Sequence, residues 1–184
     1  VLNKFVIERL ALQVWDDVDM EASGAVVLEA GDGIAVQTSG SLRLERVRAG
    51  GDVRLQAGDS ISDLGTGDSA VMAFGDLLLQ SGFAVKGTEA TSPLRIQLSR
   101  TSRLSAEVIG PVNILQVSAD ATFRGTFRDI DDLFVARITA AGEVKVQVQE
   151  GDMYVGRVTS AVSVDLRAAG DILDGFEDTT APVI

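Results

Sequence analysis

Two groups of carboxylates are the residues of this chain best placed to do chemistry: Asp16, Asp17 and Asp19 in WDDVDM, and Asp129, Asp131 and Asp132 in FRDIDD. Acids this close together can supply oxygens to a hard cation such as Ca2+, which takes about six to eight of them. They can also form the carboxylate pair with which a glycosidase protonates its leaving group and assists attack on the sugar. The spacing argues for a plainer role. Asp17-Val18-Asp19 recurs far along the chain as Asp129-Ile130-Asp131, and a catalytic pair occurs once whereas a structural position repeats. Neither group follows the EF-hand loop or the glycine-rich nonapeptide that binds Ca2+. Solvated turns are expected, with weak Ca2+ ligation and catalysis as the alternatives. No catalytic, cofactor-binding or metal-ligating residue is assigned, and no cofactor is expected.

Other chemistries are narrowed by what the chain lacks. It contains neither Cys nor His, which removes disulfides, thiol catalysis, Cys/His zinc sites and imidazole-dependent triads. Its Ser and Thr residues therefore have no evident base to activate them. Gly31-Asp32-Gly33 and Gly65-Thr66-Gly67 look like phosphate loops, but neither opens a helix or is followed by the required Lys, so both are expected to be chain corners. Arg46 and Arg157, which fall at matching places in two similar segments, are expected to be outward charges beside Glu45 or other nearby acids. The 16 basic and 27 acidic residues leave a net charge of −11, a field that repels nucleic acid and anionic membrane surfaces. No stretch reaches the roughly 18 uninterrupted apolar residues of a membrane span, so no membrane insertion is expected.

The elements that hold these residues are legible in the apolar pattern. Of the 184 residues, 46 % are hydrophobic but only 5 % aromatic, and Gly occurs 19 times. A core of β-branched and small residues broken by Gly favours short strands. GAVVLEAGDGI (24–34) and GDVRLQAGDSI (51–61) share seven of eleven positions at an offset of 27 (51 − 24). Each block alternates apolar and other residues before a glycine, the period of a strand with one buried face. A longer echo carries GSLRLERV (40–47) onto GDMYVGRV (151–158) at an offset of 111 (151 − 40), about four of the shorter intervals. Apolar pairs recur every eight to eleven residues, and helical periodicity is absent even from the best candidate, 131–141.

A tandem of antiparallel sandwiches also fits short strands at this spacing, but gives no reason for a strand–corner–strand unit to recur at the shorter interval. The expected fold is therefore all-β, a parallel β-solenoid with about 27 residues and three short strands per turn. Val26 is expected to stack on Val53, Leu28 on Leu55 and Ile34 on Ile61. Gly31 and Gly58 would turn corners at positive φ.

GDVRLQAGDSISD (51–63), GDMYVGRV (151–158) and VDLRAAGDILD (164–174), with SPLRIQLSRTSRLSAEV (92–108), resemble the shaft repeats of filamentous-haemagglutinin-like exoproteins and other very large bacterial surface adhesins. The resemblance extends over most of residues 24–174. It implies a right-handed β-helix that is secreted or held at the bacterial cell surface, associated with the outer membrane. Its role would be that of a non-enzymatic, structural and adhesive rod. The implied partners are neighbouring repeats of the same chain and a host-cell or matrix glycan or protein receptor. The Asn-Pro-rich signature of the family's secretion domain has no counterpart here, so the segment is expected to come from the interior of a longer shaft. Residues 1–174 would be the repeat array, and 175–184 the start of the next turn or a linker. The alternatives are a fragment of a β-helical carbohydrate-active enzyme, a polysaccharide lyase or hydrolase, or a Ca2+-stabilised adhesive module.

Overall fold

The structure, a computed structural model, describes residues 24–65, 68–118 and 132–175, together with the backbone of two earlier strands, β1 (Phe5–Glu8) and β2 (Val18–Asp19). Strands β3 (Val26–Ala30), β4 (Ile34–Thr38), β5 (Leu42–Ala49), β6 (Val53–Ala57), β7 (Ile61–Asp63) and β8 (Val71–Ala73) follow. Next come β9 (Leu77–Ser81), β10 (Val85–Gly87), β11 (Leu94–Leu98), β12 (Arg103–Val108) and β13 (Val112–Gln116). The last five are β14 (Leu133–Ala140), β15 (Val144–Val148), β16 (Met153–Ser160), β17 (Val164–Ala168) and β18 (Ile172–Asp174). There is no helix among the described residues.

Every pairing among the described strands is parallel, and these strands form one ten-stranded and one eight-stranded sheet. The chain passes from one sheet to the other and back, so it winds a β-solenoid, as the sequence pattern predicts. Alternation along each strand sends one set of side chains inward. Leu44, Leu55, Ile61, Leu77, Leu79, Leu104, Ile114 and Ile138 are wholly buried in one continuous core. Each contributes on the order of 1.5–3 kcal/mol by leaving water, and aliphatic ladders suit a core in which every residue meets its counterpart about 4.8 Å above and below.

The expected stacking partners are corrected by the register. Val26 lies against Leu44 and Leu28 against Val47 in the ten-stranded sheet. Val53 and Leu55 lie on Ile34 and Val36 in the other sheet, and Ile61 lies on Leu42. The two similar blocks therefore run in opposite senses: 24–34 crosses from the ten-stranded sheet to the eight-stranded one, and 51–61 crosses back. The interval between them spans three half-turns, whose strands begin at Val26, Ile34, Leu42 and Val53. A strand followed by a tight corner makes the same demands on residue type in either sheet, so the two half-turns look alike in sequence.

Turn length varies along the solenoid. Equivalent residues are 19 apart from Ile34 to Val53, 24 from Val53 to Leu77, 27 from Leu77 to Leu104 and 20 from Leu133 to Met153. The expected 27 is met in the turn from β9 to β12. The turns of 19 and 20 residues hold two strands; those of 24 and 27 hold three, because the ten-stranded sheet accommodates insertions. The single strand β5 pairs with both β7 and β8, which residues 64–70 separate. Residues 88–93 likewise part β10 from β11, and β13 rejoins the pattern by pairing with both. Just beyond, the buried amide of Gln116 accepts from the Leu98 N–H and donates to the Leu98 carbonyl, both at 3.3 Å, standing in for a neighbouring peptide group.

The corners use glycine for closeness more than for φ. A Cβ on Gly58 would strike the Ser39 carbonyl, and one on Gly82 the Gly58 carbonyl. Positive φ occurs at Gly65 and Gly151 instead, and a Cβ added to Gly31 would meet nothing within 4 Å. At the opposite corner a ladder of carboxylates takes over the backbone donors. The Asp76 and Arg103 N–H groups donate to the carboxylates of Asp52 and Asp76 at 2.8 Å. Asp152 N–H donates to Asp132 at 2.9 Å and Asp171 N–H to Asp152 at 2.7 Å.

Candidate functional site

Of the two acidic groups singled out by sequence, only Asp132 has a described side chain, and it belongs to this corner ladder. Asp19 lies on β2, where only the backbone is described; Asp16, Asp17, Asp129 and Asp131 lie outside the described residues. Gly31-Asp32-Gly33 connects β3 to β4 and precedes no helix. Gly65 follows β7 at a φ of 74°, while Thr66 and Gly67 lie outside the described residues. Arg46 faces outward and pairs with a nearby acid, Glu29, at 2.9 Å. Its expected counterpart, Arg157, lies in the other sheet.

Among the described residues the most deeply buried charge is Asp63, 2 % exposed at the end of β7. Arg95, on β11, grips it with Nε at 2.7 Å and Nη2 at 3.0 Å, and donates its own backbone N–H at 3.1 Å. Gly65 N–H adds a fourth donor at 2.6 Å. Burial pushes the Asp63 carboxyl up, but the Arg95 guanidinium and the two N–H groups outweigh it and hold the group below the usual carboxylate range. A carboxylate so occupied has no capacity left for proton transfer. Its position identifies it as a tie between the two split strands flanking the insertions.

A different arrangement faces solvent on the eight-stranded sheet. Phe134 and Tyr154 stack with ring centroids 4.3 Å apart and planes 3° from parallel. Three positions along, Arg137 lies in register with Arg157, and Thr139 with Thr159. Both arginines are exposed. The residue between Val135 and Arg137 is a bulge: Leu104 and Ser105 of β12 pair with Val135 and Arg137, leaving Ala136 unpaired with that strand. Gly156 occupies the same position in β16. Strict alternation after the buried Val135 would turn residue 137 inward, whereas the extra residue turns Arg137 outward and buries Ile138 completely.

Sequence reasoning missed this site because it aligned GDMYVGRV with a distant segment of the other sheet. The signal was nearer. LFVARITA (133–140) and MYVGRVTS (153–160) repeat an aromatic–Val–small–Arg–aliphatic–Thr order on adjacent rungs. The doubled strip can offer two guanidiniums and several hydroxyls to an anionic, hydroxyl-bearing ligand. Comparison with known proteins adds no relative: no family model, curated protein or solved structure matches the chain.

Proposed function

We infer that the chain is a segment of a non-enzymatic structural and adhesive rod, part of a large secreted or surface-anchored bacterial adhesin of the filamentous-haemagglutinin-like kind. The observation that carries this reading is the single aliphatic core running through successive turns beneath outer faces of charged and amide side chains. Backbone hydrogen bonds aligned with the long axis, together with an interlocked core, resist bending and keep displayed residues at a set distance from their anchor. Neighbouring repeats are the first partner. Val164 and Ile172 are 46 % and 49 % exposed, while their counterparts one rung below, Val144 and Met153, are fully buried. A further turn of the same kind would cover them. A host-cell or matrix glycan or protein is the second partner.

Antibodies raised against the segment should label intact cells, and deleting it from the parent should reduce attachment to host cells or matrix. The purified segment should release no reducing ends from polysaccharide. Labelling only after lysis, unchanged attachment, or depolymerised polysaccharide would each overturn the reading.

A further inference from the structure

A rod has no need of the arginine pair on the eight-stranded sheet. Arg137 and Arg157 are direct register neighbours, and like charges opposite one another on adjacent strands destabilise a sheet. Three other outward cations are answered by acids: Arg46 by Glu29, Lys145 by Glu143 and Arg167 by Asp165. Among the described residues neither Arg137 nor Arg157 has an acidic partner; Arg137 reaches only the Thr139 hydroxyl, at 3.4 Å. The second observation is independent of charge. Extra residues at the same place in both strands turn these side chains outward, and bulges are a device for re-aiming side chains at the cost of ladder regularity. The bulge at Glu45 in β5 turns Arg46 outward in the same way, and there Glu29 meets the charge.

We propose that this doubled strip binds an oligosaccharide bearing carboxylates, laid along the rod axis. Each guanidinium presents a planar fork to a carboxylate. Thr139 and Thr159 follow the arginines on the same two strands, and Tyr154 precedes Arg157 on its strand, so their hydroxyls are available to ring hydroxyls of a ligand laid along the strip. A pyranose repeat is comparable in length to one rung, so successive uronic residues can address successive arginines. An extended peptide is disfavoured because β14 is already paired on both edges, by β12 and β16, leaving it no backbone partner. Nucleic acids and densely sulfated chains are disfavoured by the net charge of −11, which repels a closely spaced polyanion more than a sparsely charged one.

The site gives the adhesive reading a ligand class and rests on that reading for its biological meaning, although binding can be measured separately. Titration calorimetry of the whole chain would use a hexuronic-acid tetramer and its methyl ester, which keeps the sugar and removes the charge. The acid form should bind saturably, more weakly as salt rises, and the ester at least about tenfold less well. Arg137→Gln and Arg157→Gln should each weaken binding about tenfold, and Arg157→Lys less than Arg157→Gln. Arg48→Gln, on the other sheet, should leave binding unchanged, and circular dichroism should show all four variants folded. No saturable binding, equal binding of the ester, insensitivity to both Gln substitutions, or tighter binding of a sulfated chain would overturn the proposal. Any of these results in a folded, elongated protein leaves the rod reading standing; a globular particle by small-angle scattering would remove the rod itself.

Discussion

Replacing Asp63 by Asn tests whether the tie between the split strands stabilises the widened turns. The carboxylate accepts two guanidinium and two backbone hydrogen bonds while 2 % exposed. Asn retains one acceptor oxygen but cannot neutralise Arg95. Removing one partner of a fully buried pair costs about 3–5 kcal/mol. The Arg95 side chain is 23 % exposed, so water recovers part of its solvation, and a loss of about 2–3 kcal/mol is expected. Asp63→Ala should cost at least as much. The assay is urea denaturation followed by circular dichroism, repeated across pH. Because the folded carboxyl sits below its unfolded range, its contribution is complete above the unfolded value of about 3.9 and fades as pH falls from there through the folded value. The gap between wild type and Asp63→Asn should therefore be constant near neutrality and close in acid. A gap below about 0.5 kcal/mol at pH 7, or one that widens as pH falls, would refute the reasoning.

Two further expectations concern the corners. Gly82→Ala drives a Cβ into the Gly58 carbonyl and should cost at least about 2 kcal/mol by denaturation. Gly31→Ala, with open space around the added methyl, should stay within about 0.5 kcal/mol of wild type or stabilise it. Asp152→Ala orphans the Asp171 N–H and should cost about 1 kcal/mol and speed that amide's hydrogen exchange. Asp152→Asn keeps an acceptor and should do far less of both.

Alternating Val, Leu and Ile between glycine-bearing corners identified short, one-face-buried strands, and their recurrence identified a solenoid. The recurrence could not say which sheet a strand joins. Val26 and Val53 make the same local contacts with a core, so their neighbourhoods read alike even though the first stacks on Leu44 and the second on Ile34. Asp132 reads as a group solvating a turn, yet it, like Asp52, Asp76 and Asp152, accepts an amide from the rung above. That role needs a neighbour a full turn away along the chain and has no local signature.

The sequence by itself therefore determined the all-β class, the aliphatic core and the parallel stacking. The first two follow from side-chain period and size, which are local properties, and the third from the recurrence of the strand–corner unit. Only the tertiary structure decided the half-turn register, the Asp63–Arg95 tie and the exposed strip at Arg137 and Arg157. Each depends on how many residues every turn consumes. Insertions at 64–70 and 88–93 and the extra residues Ala136 and Gly156 change that number without disturbing the alternation on either side.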